Sequence, residues 1–574
     1  MPVEKEDQIR PAIELLLTSG GMNSNVGEAL LKDNESPYSR NFDFLQGGGL
    51  GFGYNGFQRK VCSLPYPVRK NGLFVRYDKR TGRRQHFAYA PPCLFRIDIN
   101  TNSFEKSKGA KFPNSGAPIV TSFGCTTVLF DGANVPHKTE NGILWEQFDN
   151  WPPTHTRVNE DDLANPNAAQ TVTDWLPPQF GIFHSAINRL ALNLPAFPSA
   201  FAISKPRLYD DFRLNVDPDV GGLDIGAEYE MAIKGGVTGL GSTPNFLVVY
   251  GRDGIGTLSG TNPDFYDTLH PNGGAVQDPL TFKTVVSGIG LLSPFLLAKR
   301  GNADSWFWSE YGLYTLSTSE SFQTVKPNLA SFPIQNLINE LGTEALIKRS
   351  FLYNDLHNGV LYLIAPVSKR HLTRGRMYKL NYLTNDNRET DKSAQMVWNI
   401  QDGFGDYFNI DGMCEGGSDT HLIASGTDIW LMGKGTSYDG RPIVAEHYIK
   451  PQHFSFPDHT KKIFRYRIRY ESPTGAWLKI YHSWEDGTGG VTKVYLPATG
   501  RTSFGLGKGG FSTDGSGGHF NNSASGRIFT VNPEVVGKKE GRIYRGRLKM
   551  ESSTAQCKIY NCWLSHEVLG IGHG

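Results

Sequence analysis

Short apolar stretches recur along the first 450 residues, each followed by a glycine or Asp-Gly turn and then by another short apolar stretch. The clearest examples are residues 94–99, 127–132, 246–251, 307–314, 360–365 and 421–426. Strands this short, joined by turns this rich in glycine, are typical of small antiparallel sheets. Loosely similar units that return every few tens of residues favour radial repetition. The pattern predicts an all-β fold whose main part is a β-propeller of short antiparallel blades.

The first 60 residues differ from this pattern. Residues 1–60 are predicted to be an extended lead-in that contributes to propeller closure and to subunit contacts. Apolar side chains such as Leu31, Phe42 and Phe52 alternate there with many glycines, including the run from Gly47 to Gly53. A segment of this kind cannot fold alone, and its apolar residues would be costly to leave exposed. We therefore expect a neighbouring subunit to cover it.

Residues 61–450 are predicted to form the propeller, with a Trp/Pro-rich insert near 145–180. The clearest helix candidate is 334–346, where apolar residues fall at helical spacing after Pro333. From 451 the apolar and polar residues alternate strictly, so 451–574 is predicted to be a C-terminal β-sandwich-like domain.

Two basic stretches within this last region, 461–469 and 538–549, alternate with apolar residues. We interpret them as strands with one charged, solvated face, and keep a surface that follows phosphates as the alternative. The whole chain has 58 Lys and Arg against 56 Asp and Glu, a formal charge of +2. A dedicated nucleic-acid-binding protein is normally much more basic, so the composition argues against that class.

The composition also limits the classes of protein to which the chain can belong. The 39% of hydrophobic residues, spread along the chain, exclude general disorder, while 65 Gly and 33 Pro fit many tight turns. The sequence predicts neither a signal peptide nor a membrane-spanning segment. Its six cysteines form no disulfide framework and no CxxC pair, so we interpret all six as buried or neutral thiols.

The search for catalytic chemistry gives no site. The chain has no GxSxG, GxxxxGK[ST] or HExxH motif. Acidic groups at 160–162 and 210–211 could serve glycoside cleavage, but exposed loop acids are the commoner explanation. The loop that holds His482, Trp484, Glu485 and Asp486 could contact a sugar, although anchoring of a strand end is the favoured interpretation. We therefore predict no enzyme activity and name no catalytic, cofactor-binding or metal-binding residue.

The order of the apolar stretches resembles a known family. The lead-in residues 20–23 and 41–44 are followed by the strands and turns at 128–132, 246–260, 306–314 and 377–382. This series resembles the tail nozzle (tail hub) and packaged-DNA stabilisation proteins of short-tailed bacteriophages. The resemblance covers most of 15–450 and is weaker in the C-terminal strands.

The resemblance implies a structural, non-enzymatic subunit of the virion tail, made in the cytoplasm of the host bacterium. Such subunits form a ring, typically a hexamer, below the portal and adaptor. The ring continues the exit channel for packaged double-stranded DNA and closes it until ejection. The implied partners are further copies of the chain, the portal, the adaptor and other tail proteins, and the DNA.

Two other functions stay open from the sequence alone. Tryptophans such as Trp145, Trp151 and Trp175 are compatible with a propeller that binds or cleaves glycans on the host surface. A glycan-cleaving enzyme would need a converging pair of acids, which a ring subunit does not. A position one step higher in the same neck, as an adaptor or stopper, is the third possibility.

Overall fold

Strands make up most of the chain in the computed structural model. The structure describes residues 12–15, 20–45, 49–57, 59–149, 151, 155–157, 170–172, 175–185, 187–212, 227–230, 235–260, 280–300, 304–319, 324–382, 397–417, 420–433, 435–499 and 528–571. Within these ranges the helices are limited to five short segments. The all-β prediction is confirmed.

Seven four-stranded antiparallel units follow one another and form the blades of a β-propeller. Blade 1 consists of Leu73–Asp78, Arg83–Ala90, Cys93–Asp98 and Ser103–Lys106, and blade 2 of Ile119–Phe123, Thr126–Phe130, His137–Thr139 and Glu146–Gln147. Blade 3 consists of Gly181–His184, Arg189–Asn193, Ala200–Ile203 and Ala227–Glu230, and blade 4 of Val237–Ser242, Phe246–Gly251, Gly254–Ser259 and Thr281–Ser287. Blade 5 consists of Leu297–Lys299, Ser305–Ser309, Gly312–Ser319 and Thr324–Leu329. Blade 6 consists of Phe351–Asp355, Val360–Ser368, His371–Asn381 and Val397–Gln401. Blade 7 consists of Gly412–Gly417, Thr420–Ser425, Asp428–Met432 and Arg59–Ser63.

The packing of the blades explains the apolar stretches in the sequence. Blades stack face to face, so a middle strand is covered on both faces and needs apolar residues at consecutive positions. The second strand of blade 4, Phe246–Gly251, is buried along its whole length. The hydrophobic clusters accordingly lie between neighbouring blades, as where Phe201 of blade 3 packs with Leu247 and Leu258 of blade 4.

The ring is closed by a strand from the N-terminal part of the chain. Arg59–Ser63 pairs antiparallel with Asp428–Met432 and so becomes the outermost strand of blade 7. The innermost strand of blade 7 lies against that of blade 1. Val61 and Cys62 are buried in the cluster that these two blades share. Closure therefore depends on a contact between residues near the two ends of the propeller.

Two sheets beyond the propeller form the β-sandwich. The strand order of the first sheet is Phe529–Val531, His459–Glu471, Cys557–Ile571, Leu50–Phe52 and Asp43–Phe44. Two further strands join it, since Ala12–Leu15 pairs with Cys557–Ile571 and Glu540–Gly541 pairs with His459–Glu471. The other sheet contains Arg441–Tyr448, Arg545–Ser552, Ala476–Ser483 and Gly489–Leu496, with Ser437–Tyr438 beside the first of these. Inward side chains of the two sheets, such as Ile468 and Leu478, share one core.

Blade 6 and the second of these sheets form one continuous ten-stranded sheet, which we call the extended sheet. The strand Ser39–Arg40 joins them, since it lies between Val397–Gln401 of blade 6 and Arg441–Tyr448. The extended sheet therefore runs from the innermost strand of blade 6 to the far strand of the sandwich, Gly489–Leu496.

The remaining elements are short. Gly21–Met22 pairs in parallel with Glu35–Ser36, and His155–Arg157 pairs with Gln170–Val172 in the insert. Short 3-10 helices lie at Glu28–Leu30, Pro294–Leu296 and Phe332–Ile334. The predicted helix over 334–346 is wrong in its bounds, because the segment forms two α-helices, Gln335–Asn339 and Thr343–Arg349. Gly342 separates them in the left-handed region at φ +74°.

Two details of the basic stretch at 461–469 depart from a strict alternation of solvated basic residues with buried apolar ones. The register of His459–Glu471 shifts between Ile463 and Arg465, so Ile463 faces the core and Phe464 does not. Lys461 is buried rather than solvated. Its Nζ donates to the carbonyl oxygens of Phe456 and, at 2.9 Å, of Arg542. An ammonium needs such acceptors when it leaves water.

We predict that Cys62→Asp opens the ring. The Cys62 side chain is buried between the closing strand and blade 7, and burial raises the pKa of its thiol to about 11. The nearby Lys60 is already paired with Asp428, so a carboxylate at position 62 would be buried beside a like charge. We therefore expect the free energy of unfolding to fall by about 3 kcal/mol or more. Denaturant titration measures this, and hydrogen exchange over 428–432 should speed up. Cys62→Val, which keeps the side chain apolar and similar in size, and Thr101→Asp in an exposed turn should stay close to the parent chain in stability.

Candidate functional site

A network of hydrogen bonds and ion pairs joins the propeller to the sandwich. We call residues 39–43 the linking segment. Arg40 lies opposite Ile400 of blade 6 on one side and opposite Glu446 of the sandwich on the other. The strand ends at once, because Asn41 has a φ of 58°. Asparagine tolerates this left-handed conformation better than most residues.

The side chain of Asn41 bonds to both neighbours of the linking segment. Its Nδ2 donates to the carbonyl oxygens of Asp402 at 3.0 Å and of Val444 at 2.8 Å. Its Oδ1 accepts the backbone N–H of Asp402 at 2.9 Å and the hydroxyl of Tyr438 at 3.3 Å. One primary amide, with two donors and a carbonyl acceptor, thus continues the backbone ladder where the chain turns away.

Arg40 is part of a partly buried charge network that spans the junction. Its guanidinium lies 3.5 Å from Asp402 Oδ1 and 3.6 Å from Glu446 Oε2. Asp402, only 6% exposed, also accepts Nη2 of Arg376 at 2.8 Å. Burial opposes the charge of Arg376, yet Tyr378 and Asp402 hold its pKa above the usual value. One carboxylate therefore holds the linking segment and blade 6 together.

Further contacts attach the residues that follow to the same blade. Asp43 Oδ1 accepts Lys379 Nζ at 2.6 Å. Burial opposes the charge of Lys379, but the carboxylate of Asp43 keeps its pKa above the usual value. The Nδ2 of Asn399 donates to the carbonyl oxygen of Phe42 at 2.6 Å. The linking segment is thus fixed through side chains as well as through backbone pairing.

His447 lies on the sandwich side of the junction and is almost completely buried. Its Nδ1 is 3.3 Å from the Ser39 hydroxyl, and its ring meets those of Phe42 and Phe44 edge-on. Burial lowers the pKa of His447 to about 3. The imidazole is therefore neutral at physiological pH.

The apolar side chains of the lead-in are covered within the chain. Leu31, Phe42, Phe52 and Phe57 are 3% exposed or less. Phe57 stacks on Phe408 and Tyr438, with ring centroids 4.8 and 5.2 Å apart. The expectation that a neighbouring subunit covers these residues is therefore wrong for this set, because blades 6 and 7 and the sandwich do so. Leu30, at 77% exposure, is the exception.

The central channel of the propeller contains two cavities. One, of about 340 Å³, is lined by the innermost strands of blades 2 to 5 and includes Ile182 and Leu240. The other, of about 470 Å³, lies between blades 1, 2, 6 and 7 and includes Val120 and Met413. The wall of the second cavity is mostly apolar, whereas the first also presents polar residues such as Thr121, Lys299 and Asp304.

The charged groups of the second cavity are already paired with groups of the channel wall. Glu415 lies 2.7 Å from Arg84 and also accepts the hydroxyl of Tyr77. Asp355 Oδ2 lies 3.0 Å from His421 Nε2. Burial acts to raise the pKa of Asp355, but hydrogen bonds from His421 and Asn358 hold it below the ordinary value. These contacts stabilise the channel wall, and none leaves an acid positioned opposite a second acid.

The acidic residues considered in the sequence are not brought together. Asp210 pairs with Lys138 at 2.6 Å in the region of blades 2 and 3, and Asp211 lies 3.4 Å from Lys205. Glu485 lies in the sandwich and accepts the backbone N–H groups of Arg542 and Ile543. Asp486, beside it, pairs with Lys538. Residues 160–162 lie outside the described residues.

The aromatic candidates are mostly core residues. Trp145 is buried against Phe74 and Phe87. Trp175 is buried with Trp151 at 5.6 Å between ring centroids. Trp484 is also buried, and its Nε1 donates to the carbonyl oxygen of Lys538 at 3.0 Å. The Nε2 of His482 lies 2.8 Å from the same oxygen. The loop at 482–486 is thus anchored to the segment around Lys538.

No cofactor site emerges from the described residues. Within them, no three His, Cys, Asp or Glu side chains are grouped so as to hold a metal ion, and no helix is long and apolar enough to cross a membrane. All six cysteines are free thiols; five are buried and Cys125 is partly exposed. The Asn41 junction itself was missed by sequence reasoning, because a single asparagine in a lead-in carries no signal of its distant partners.

Comparison with known proteins gives only distant structural likeness. No family model matches the chain, and no curated protein matches it. Among solved structures, YCF48 bound to a D1 peptide is similar at 10% identity and a TM-score of 0.32, over 65% of this chain and 93% of that one. U3-55K is similar at 8% identity and a TM-score of 0.35, over 65% of this chain and 98% of that one. BBS1N in complex with ARL6DN is similar at 8% identity and a TM-score of 0.35, over 67% of this chain and 99% of that one.

We predict that Asp402→Asn loosens the junction. The change removes the charge that Arg40 and Arg376 share, so two largely buried cations lose their common partner. We expect the free energy of unfolding to fall by about 3 kcal/mol, measured by denaturant titration. Asp406→Asn is the matched control, because Asp406 pairs with Arg374 at the surface and is 71% exposed. Its effect should stay below about 1 kcal/mol; equal effects would contradict the prediction.

We predict that stability falls with acidification below about pH 6.5. Burial lowers the pKa of His137 and His184 to about 4, and that of His447 to about 3. Well above pH 6.5 these imidazoles are neutral in both the folded and the unfolded state, so they contribute no pH dependence there. Below it the unfolded chain binds protons that the folded chain does not. Each buried histidine then lowers the free energy of unfolding by up to about 1.4 kcal/mol per pH unit.

Unfolding titrations at pH 7, 6 and 5 measure this slope. His447→Gln should make it shallower, whereas His371→Gln, at an exposed position, should leave it unchanged. A His447→Gln chain with the parent slope would show that His447 does not contribute.

Proposed function

We propose that this chain is a structural subunit of a bacteriophage tail. In this role it forms a ring below the portal and adaptor, closes the DNA exit channel and retains packaged DNA until ejection. The proposal starts from the ordered series of strands and turns that resembles tail nozzle and packaged-DNA stabilisation proteins. The observation that carries it is the extended sheet, which makes the propeller and the sandwich one hydrogen-bonded body.

A channel subunit must keep its shape under the pressure of packaged DNA. Domains joined by a linker normally move relative to each other. Here the strand Ser39–Arg40 pairs on both sides, and the ion pairs of Asp402 tie it to Arg376. Force applied to the sandwich would pass to blade 6 through backbone hydrogen bonds and a buried charge network. This geometry supports a mechanical role.

The distribution of acids also favours a structural role over the glycan-cleaving alternative. Glycoside hydrolysis needs two carboxyl groups on either side of one bond, no more than about 10 Å apart. Of the candidate acids, the described ones form two groups in separate parts of the fold, Asp210 and Asp211 in the propeller and Glu485 and Asp486 in the sandwich. Each of these four is engaged by a lysine or by backbone N–H groups. The glycan function therefore remains only as an outcome of the test below.

Ring formation follows from head-to-tail contacts that repeat until they close. We propose a six-fold ring that assembles on the portal and adaptor, with the purified chain free to remain monomeric by itself. The exposed Leu30 and the lead-in around it belong to the surface that such contacts would use. DNA would pass along the axis of the ring of subunits, not through the channel of a single propeller.

The test is made on particles of the phage that encodes the chain. We expect cryo-electron microscopy to locate the chain in a six-fold ring below the adaptor. We also expect particles assembled with Asp402→Asn to release their DNA at a lower temperature than parent particles, because the body of each subunit yields sooner. Particles with Asp406→Asn should match the parent. DNA release is measured by dye access during heating.

Three results would reject the proposal. The chain could be absent from particles, it could lie outside the DNA path, or particles lacking it could retain DNA as the parent does. Turnover of host-surface glycan by the purified chain would instead establish the alternative.

A further inference from the structure

The outward face of the extended sheet in the sandwich has an unusual composition. Its strands Arg441–Tyr448, Arg545–Ser552, Ala476–Ser483 and Gly489–Leu496 alternate between buried and solvent-facing residues. The solvent-facing set includes three lysines and an exposed tryptophan–tyrosine pair. We call this surface the lysine face and define it by Trp477, Lys479, Lys493, Tyr495 and Lys549.

The three lysines form a row across three neighbouring strands. Lys479 lies directly opposite Lys493 on one side and Lys549 on the other. Adjacent strands are about 4.8 Å apart, and like charges placed directly opposite destabilise a sheet. Lys549 lies 3.7 Å from Glu446 and 4.0 Å from Glu551. No described carboxylate forms an ion pair with Lys479 or Lys493, so compensating negative charge is present only at the Lys549 end of the row.

Protection of a sheet edge explains only part of this row. Lysines on an edge strand discourage pairing with another chain, and Lys493 lies on such a strand, Gly489–Leu496. Lys479 and Lys549, however, lie on interior strands, where no edge needs protection. A bound anion would offset the repulsion between these opposed lysines.

Beside the lysines lies an aromatic pair that faces solvent. Trp477 is 58% exposed and Tyr495 is 48% exposed, with ring centroids 5.1 Å apart. Trp477 and Lys479 are two residues apart on one strand, so their side chains leave the same face. In the next row Tyr481 lies under the guanidinium of Arg547, 4.3 Å from its ring centroid. The face thus offers flat rings beside cations.

The charge of the whole chain conceals this feature. Residues 451–574 contain 17 Lys and Arg against 9 Asp and Glu, a formal charge of +8, while residues 1–450 contain 41 against 47, a formal charge of −6. Such asymmetry between parts of one chain is typical of a nucleic-acid or membrane contact. The lysine face lies in the basic part.

We propose that the lysine face binds single-stranded nucleic acid. Its lysines would neutralise backbone phosphates, and Trp477 and Tyr495 would stack on unpaired bases, the combination by which sheets bind single strands. Duplex DNA hides its bases and would leave the aromatic pair unused. An acidic peptide would pair with the lysines, but it carries no bases to stack on Trp477 and Tyr495. This inference is independent of the proposed tail function.

The test uses the full chain and a fluorescein-labelled oligothymidylate of about 16 nucleotides, the upper end of the site size of a small single-strand-binding domain. Fluorescence anisotropy at several salt concentrations gives the dissociation constant and its salt dependence. Trp477→Ala should weaken binding at least about five-fold, because loss of one stacked base costs at least that much. The slope of log K against log salt should not change.

Lys479→Gln combined with Lys493→Gln should weaken binding and reduce that slope by about 1.4, since each phosphate contact on a single strand contributes about 0.7. Two controls are matched in chemistry. Lys108→Gln with Lys111→Gln removes two exposed lysines from the propeller, and Tyr407→Ala removes an aromatic residue that is 90% exposed. Both should bind as the parent does.

Competition identifies the ligand class. Unlabelled single strands should displace the probe at lower concentration than a duplex of the same length or poly-glutamate. The proposal is overturned if the parent chain does not bind the probe. It is equally overturned if duplex or poly-glutamate competes as well as the single strand, or if Trp477→Ala binds like the parent, since each result would indicate a simple polyanion surface.

Discussion

The architecture depends on the pairing of one N-terminal segment with strands made much later in the chain. Residues 39–63 supply Ser39–Arg40, which joins blade 6 to the sandwich, and Arg59–Ser63, which completes blade 7. A propeller without its last strand has an open edge, and a sandwich without Ser39–Arg40 has no backbone connection to blade 6. Ring closure and domain attachment are thus two results of one long-range contact, with a high entropic cost of loop closure.

Such a contact is stable only if most of the polar groups that it buries find partners. Asn41 shows how this is met, because its amide bonds to Asp402 on the propeller side and to Val444 on the sandwich side. Asp402 then compensates the cations of Arg40 and Arg376. The network is specific as well as stabilising, since a slipped register would leave these buried charges unpaired.

The fold could be predicted from the sequence because its signal is local. A middle strand covered on both faces needs a short apolar run, and runs such as 246–251 and 360–365 can be recognised without knowing their neighbours. The junction could not be predicted, because Asn41 and Arg40 meet residues about 360 to 410 positions away. The break at Gly342 and the burial of Lys461 were missed for a related reason: helix spacing and charge alternation do not report the tertiary contacts that override them.

The closing strand has a consequence for synthesis on the ribosome. Ser63 and its partner Asp428 are 365 residues apart. At translation rates of about 5 to 20 residues per second, the strand Arg59–Ser63 waits roughly 20 to 70 s before Asp428–Met432 emerges. During that time its backbone groups form an open edge that another nascent chain could occupy. A chain of this topology therefore gains from slow-acting protection of its N-terminus by a chaperone until the last blade has been made.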